Sequence, residues 1–200
     1  MTFNHKKTAL NKDFWDAKYT QNKTGWDIGE ISTPLKTYID QISNKNQQIL
    51  IPGAGNGHEV EYLYTKGFKN ISVVDISKQP LSNLKNRLPK ANNINFIHSD
   101  FFDVNLKFDL IIEQTFFCAL HPSERESYVA KMYDLLNMNG KIAGLLFDFE
   151  LTNEGPPFGG SITEYIQLFY AKFNIKILEK CYNSIKQRQG KELFFIFDKK

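Results

Sequence analysis

The chain has 200 residues, 42% hydrophobic and 24% charged, with a net charge of +3. That suits one domain with a substantial core, is too balanced for a nucleic-acid surface, and includes no apolar run near the ~20 residues a membrane span needs. The two cysteines, Cys118 and Cys181, lie far apart and fit neither a disulfide framework nor a zinc site, which points to a reducing, cytoplasmic setting and two buried thiols.

The N-terminus lacks the apolar core of a signal peptide. The basic stretch His5-Lys6-Lys7 and the Lys199-Lys200 tail read as solvated ends. Residues 12–21 and 34–42 are expected as helices, the second capped by Ser32 or Thr33 with Pro34 in its first turn. The apolar run at residues 47–53 reads as a strand buried on both faces, and those at 71–77, 94–100, 108–114 and 141–149 read as further strands. Helical spacing separates them at residues 58–66 and 78–88. A fifth helix starts at the Ser123-x-x-Glu126 capping pattern and is expected to stop at Gly140. A helix over residues 163–170 precedes two runs, 175–185 and 192–197, that lack a helix between them and should pair antiparallel across Gly190. The alternation predicts an α/β, doubly wound, mostly parallel sheet with an antiparallel C-terminal strand pair. One domain is expected over residues 1–200, with a helical cap or lid over 1–45 and a sheet core over 46–200. The loop KTGWDIGE, residues 23–30, should lie over the sheet's carboxyl edge, where such folds bind ligands.

Gly53, Gly55 and Gly57 follow the first strand. In a dinucleotide fingerprint the third glycine would fall on His58, which would block close helix–strand approach. No Gly-Lys-Ser/Thr follows, so a Walker phosphate loop is excluded. Asp75 ends the second strand about 20 residues on, where a carboxylate can accept both ribose hydroxyls; Ile76 beside it joins the expected cofactor-binding set. Asp100 with Phe101 ends the third strand and suits the amino edge and face of an adenine. Together these describe an adenosine-bearing cofactor without phosphate, S-adenosylmethionine being the obvious candidate. Its sulfonium is attracted to aromatic faces, and Trp15, Tyr19 and Trp26 lie in the segment expected to cover the site.

The order of GWDIG, IPGAGNGHEVEYL, VVDIS, SDFFD, FDLIIEQTFFCAL and GPPFGGS resembles that of the thiopurine methyltransferase-like class I methyltransferases, and within them the halide/thiol methyltransferases. The resemblance spans roughly residues 14–197 and implies a seven-stranded, Rossmann-like sheet with S-adenosylmethionine as methyl donor. It places Trp15, Tyr19 and Trp26 over the cofactor, Gly53 at its methionine end, Asp75 on the ribose, and Asp100 with Phe101 at the adenine. Gln114 would border the reactive end. Plant halide/thiol enzymes commonly carry tryptophan at the position of Tyr19 and tyrosine at those of Gln114 and Phe158. These departures remove two phenols from the expected acceptor pocket and leave the donor site intact.

Methyl transfer from a sulfonium is an in-line displacement whose leaving group, a neutral thioether, needs no acid. A soft nucleophile such as a thiol, selenium species or halide needs little base, so alignment and water exclusion carry the catalysis. No strict general base is expected, and no metal. Phe116, Phe117 and Phe158 would wall the acceptor pocket, with Gln114 orienting donor or acceptor. Arg188 reads first as a surface residue, with an anionic acceptor as the alternative. His58 reads as helix packing, and His121 is the histidine to test as a proton acceptor. The expected partner is a small-molecule substrate, without nucleic acid or membrane, acting on a monomer. A nicotinamide-dependent oxidoreductase and a cofactor-binding module without turnover are the alternatives.

Overall fold

The computed structural model describes residues 10–200; the stretch His5-Lys6-Lys7 lies outside them. Seven strands, β1 (Gln48–Pro52), β2 (Asn70–Asp75), β3 (Ile94–His98), β4 (Phe108–Gln114), β5 (Leu136–Phe147), β6 (Phe173–Lys180) and β7 (Glu192–Lys199), form one sheet in the order β3-β2-β1-β4-β5-β7-β6. Strands β1 to β5 pair parallel, and β7 runs antiparallel to both β5 and β6.

The continuous apolar runs of β1, β2 and β4 are explained by burial on both faces. On β1, Ile49 and Ile51 point into one core cluster and Leu50 into the other. The first cluster takes Leu35 and Ile39 of α2 (Thr33–Asp40), Leu63 of α3 (His58–Thr65) and Leu84 of α4 (Lys78–Arg87). The second takes Tyr128 and Met132 of α5 (Arg125–Leu135) and Tyr165 and Phe169 of α6 (Ile162–Phe169). A remaining helix, α1 (Lys12–Thr20), buries no residue in the core. It is pinned by Ser77 Oγ, which donates to Asp16 Oδ1 at 2.6 Å.

The chain leaves β1 towards β2 and β3, then returns to β4 on the other side of β1. The two connections diverge there, opening a crevice at the strands' carboxyl ends.

Local details differ from the sequence expectations. A short 3-10 turn, Pro122–Glu124, precedes α5, so the capping box is His121 with Glu124 rather than Ser123 with Glu126. Helix α5 ends at Leu135 and Gly140 sits inside β5, where a Cβ would lie 3.0 Å from the Asn137 carbonyl oxygen. Strand β6 ends at Lys180, short of residue 185. Lys199 is no solvated tail residue: it belongs to β7, and its Nζ donates to the carbonyls of Tyr133 and Leu136 at 2.8 Å each. A cation is thereby supplied to the C-terminal end of α5, whose last turn holds none.

Candidate active site

A cavity of about 890 Å³ occupies the crevice, and three layers of structure line it. Its floor is the loop after β1. Gly53, Gly55 and Gly57 all have positive φ (+70°, +52° and +73°), a region side chains rarely adopt. A Cβ on Gly53 would lie 2.6 Å from the Phe116 ring, and one on Gly57 2.6 Å from Leu84. At Gly55 the nearest atom would be Trp26 Nε1 at 3.9 Å. The outer glycines therefore admit close neighbours, while the middle one leaves its backbone open to a ligand.

Asp75 ends β2 at the cavity wall, 9% exposed. Its Oδ2 accepts the Ala54 N–H at 2.9 Å and its Oδ1 the Ser77 N–H at 2.7 Å. Burial raises its pKa to about 6, against the opposing pull of the Ser77, Ala54 and Gly55 amides. Each carboxylate oxygen has two lone pairs, so both retain capacity for a hydroxyl. Ile76, Asp100 and Phe101 continue the same wall. Asp100 Oδ1 accepts the Phe102 N–H at 2.9 Å, which fixes the carboxylate at the strand end.

The roof is aromatic. Trp26 meets Trp15 edge-on at a centroid distance of 5.6 Å and Tyr19 at 5.8 Å, and all three rings line the cavity. Burial, then the charges of Asp75 and Asp27, push the Tyr19 phenol well above its ordinary pKa, so it stays neutral. The lid loop is tied to the floor through Asp27. That carboxylate accepts the Gly29 N–H at 2.9 Å, pairs with His58 Nε2 at 2.8 Å and accepts from Asn56 Nδ2. His58, expected as helix packing, is instead a lid fastener.

At the other end lie Gln114, Phe116, Cys118, Leu120, Phe147, Pro156, Pro157 and Arg188. Ser32, at the N-terminus of α2, donates from Oγ to Gln114 Oε1 at 2.9 Å, which leaves the Gln114 amide N–H groups for the cavity. Arg188 corrects its expected surface role. Its side chain is 12% exposed, Nη1 lies 3.4 Å from Glu192 Oε1, Nη2 donates to the Trp26 carbonyl at 2.7 Å, and the guanidinium sits 5.7 Å from the Phe147 ring centre.

Two expected wall residues lie elsewhere. Phe117 is 1% exposed and packs at 5.0 Å on Tyr128 and 5.7 Å on Tyr165, in the core behind the cavity. Phe158 is 4% exposed and lies outside the cavity lining; its N–H donates to the Cys118 carbonyl and its ring meets His121 at 5.8 Å. The turn after β4 is the reason: it presents Phe116 to the cavity and turns Phe117 inward. His121 also lies outside the lining, with Nδ1 engaged by Ser123 Oγ at 2.8 Å.

Sequence pattern alone does not single out Glu113. It is completely buried beneath the Gln114 turn and bonds Phe116, Phe117 and Tyr128. Its signal was an acid inside the apolar run FDLIIEQ. Among the described residues no cluster of three or more His, Cys, Asp or Glu could hold a metal ion, and no helix is long and apolar enough to cross a membrane.

The family model described as Thiopurine S-methyltransferase (TPMT) matches residues 10–199. A probable thiol methyltransferase 2 of Arabidopsis thaliana is 31% identical over 76% of this chain and 69% of its own length. Thiocyanate methyltransferase 1 of Brassica oleracea is 30% identical over 89% and 81%. Among solved structures, the 1,6-didemethyltoxoflavin-N1-methyltransferase of Burkholderia thailandensis, crystallised with S-adenosylhomocysteine, superposes with a TM-score of 0.79 at 16% identity, covering 100% of this chain and 91% of that one.

Proposed function

The chain belongs to the thiopurine S-methyltransferase family, and from that premise we propose that it methylates a small, soft, anionic nucleophile such as a thiolate, a selenium anion or a halide. It is an S-adenosylmethionine-dependent methyltransferase, and the site fits that donor: Gly55 leaves an open backbone, Asp75 has spare acceptor capacity, and three rings form a roof for a cation. When bound, S-adenosylmethionine supplies an electrophilic methyl group on a positive sulfur.

The residues of the chain do the rest. Asp75 and Asp100 hold the nucleoside portion, with Ile76 and Phe101 against the base. Gly53, Gly55 and Gly57 allow close backbone approach, and Trp15, Tyr19 and Trp26 cover the sulfonium and exclude water. Gln114 directs its amide at the acceptor end, and Phe116 replaces Phe117 as the wall there. Phe158 shapes the acceptor end indirectly, by fixing the Pro156-Pro157 loop against Cys118.

The observation that carries the anionic acceptor is Arg188. A guanidinium lodged in the cavity, with two of its five N–H donors engaged by Glu192 and Trp26, can attract an anion and hold it towards the methyl group. No general base is required of an acceptor that arrives ionised. Burial pushes the Cys118 thiol up, so it remains a neutral donor to the Thr115 carbonyl. The reading extends to a monomer and to a reducing, cytoplasmic setting, the latter supported by two buried free cysteines.

The test is transfer of label from methyl-labelled S-adenosylmethionine to a panel of benzenethiol, hydrogen selenide, iodide, thiocyanate and, as a control, a primary amine. Labelled thioether, selenide or methyl halide supports the reading. Labelling of the amine alone overturns the soft acceptor, and donor binding without label in any product makes the protein a binding module.

A further inference from the structure

Glu113 is the penultimate residue of β4, fully buried and outside the cavity walls. Its Oε1 accepts the Phe116 N–H at 2.8 Å and the Phe117 N–H at 3.1 Å. Its Oε2 accepts the Phe117 N–H at 3.2 Å and the Tyr128 hydroxyl at 2.7 Å. The segment so held is strained. Thr115 sits at φ +59°, a left-handed conformation that a β-branched residue avoids. Cys118 Sγ adds a bond to the Thr115 carbonyl at 3.2 Å. The neighbouring strand makes room for the acid: Gly144 stands opposite Glu113, and a Cβ there would lie 2.6 Å from the Glu113 Cβ.

Burying a carboxylate is costly, and an apolar side chain of similar volume would serve a core as well or better. What an apolar side chain cannot do is collect two successive backbone amides. The side chain resembles an N-terminal cap on the short 3-10 turn Phe117–Ala119, its oxygen accepting amides that an apolar residue would leave unpaired. The residues on either side of Thr115 are Gln114, bonded to Ser32, and Phe116, whose ring lies against Gly53. Both face the end of the cavity assigned to the acceptor.

We propose that Glu113 is a positioning residue for methyl transfer: its carboxylate clamps the Phe116 and Phe117 amides, holds Thr115 in its left-handed conformation, and so sets Gln114 and Phe116 at the reacting end. The proposal rests on the reading of that end as the acceptor site.

Three variants test it, with benzenethiol as acceptor. Glu113→Met removes every acceptor atom at similar length; kcat should fall at least about thirtyfold while the calorimetric Kd for S-adenosylhomocysteine stays within about threefold. Glu113→Gln keeps one oxygen where both amides point and should stay within about fivefold of the unaltered kcat. Adding Thr115→Gly to Glu113→Met relieves the left-handed strain and should recover at least about fivefold in kcat, measured against Thr115→Gly alone. A general loss of core packing would not be recovered by that change.

Hydrogen exchange at the Phe116 and Phe117 amides reads the same clamp without an acceptor. Exchange should be at least about tenfold faster in Glu113→Met than in the unaltered protein or Glu113→Gln. If Glu113→Met does not fold, Tyr128→Phe replaces it. That variant removes one bond to the carboxylate and should lower kcat about threefold or more at unchanged donor Kd. An unchanged kcat in the variant that folds, or a loss in Glu113→Met that Thr115→Gly leaves unrecovered, overturns the proposal. If the unaltered protein methylates nothing, the reading of the acceptor end fails and the exchange data alone decide whether the clamp exists; equal exchange in all variants would overturn it.

Discussion

Arg188 donates from Nη2 to the Trp26 carbonyl at 2.7 Å, which ties the loop before β7 to the lid across 162 positions of sequence. One side chain thus ties down the aromatic roof and places positive charge at the end of the cavity proposed for the acceptor. Arg188→Ala should raise KM for an anionic thiolate by roughly ten- to a hundredfold, the equivalent of a lost charged hydrogen bond of about 1.5–3 kcal/mol. Arg188→Lys keeps the charge but not the planar fork, and should recover only part of the loss. Steady-state kinetics with thiolate and iodide check this, and an unchanged KM for both would remove Arg188 from acceptor binding.

Asp75, as the proposed ribose ligand, should give donor binding a defined pH dependence. Its pKa in the free protein is about 6, raised first by burial. Ribose hydroxyls donating to it favour the ionised form, so the pKa falls on binding and protons are released near pH 6. Affinity should therefore be full above pH 6 and decline as pH drops through it. Asp75→Asn should weaken binding by about 1–3 kcal/mol and abolish the proton release, read by calorimetry in buffers of different ionisation enthalpy.

Glu113 should set a stability slope. Burial raises its pKa from 4.5 to about 7 in the folded protein, so the native state holds a proton that the unfolded chain releases. The sign is fixed by linkage: the stabilisation is complete below pH 4.5 and is lost as pH rises to 7. Asp75 acts in the same direction at lower pH, between its ordinary 3.8 and about 6. Glu113→Gln should flatten the fall in unfolding free energy between about pH 5 and pH 8 by on the order of 2–3 kcal/mol in urea titrations. A variant as pH-dependent as the unaltered protein would contradict this.

The two tryptophans of the chain, Trp15 and Trp26, both line the cavity. Intrinsic fluorescence should therefore change on binding S-adenosylhomocysteine, with about half the change surviving in each single Trp→Phe variant if the rings contribute equally. Emission insensitive to saturating ligand would mean that the roof does not meet the donor.

Phe117 and Phe158 separate core from pocket. Phe117→Ala should cost about 3–5 kcal/mol of stability, as for other buried aromatic truncations, and the surviving protein should retain donor affinity. Phe158→Tyr should change the acceptor KM less than Phe116→Ala does, because Phe116 lines the cavity and Phe158 does not.

The sheet was legible because its signals are local. Burial of β1 on two faces leaves an unbroken apolar run, and the tight turn after it demands glycine whatever the ligand. The closing hairpin was legible because no helix fits between its strands. Phe116 and Phe117 could not be told apart, since adjacent residues exchange faces at a turn whose hand is set by Thr115 and by a carboxylate below it. Arg188 reads as surface in the sequence because the groups that bury it, Trp26 and Phe147, are distant along the chain. The start of α5 slipped because the Pro122–Glu124 turn moved the capping pair upstream to His121 and Glu124.

The most direct measurement is a crystal structure with S-adenosylhomocysteine bound. Both ribose hydroxyls should lie within hydrogen-bond reach, about 2.5–3.2 Å, of the Asp75 carboxylate, with the sulfur beneath the Trp26 ring and turned towards Gln114 and Arg188. A ribose away from Asp75, or a sulfur turned away from Gln114, would contradict the assignment of this cavity as the methyl-transfer site.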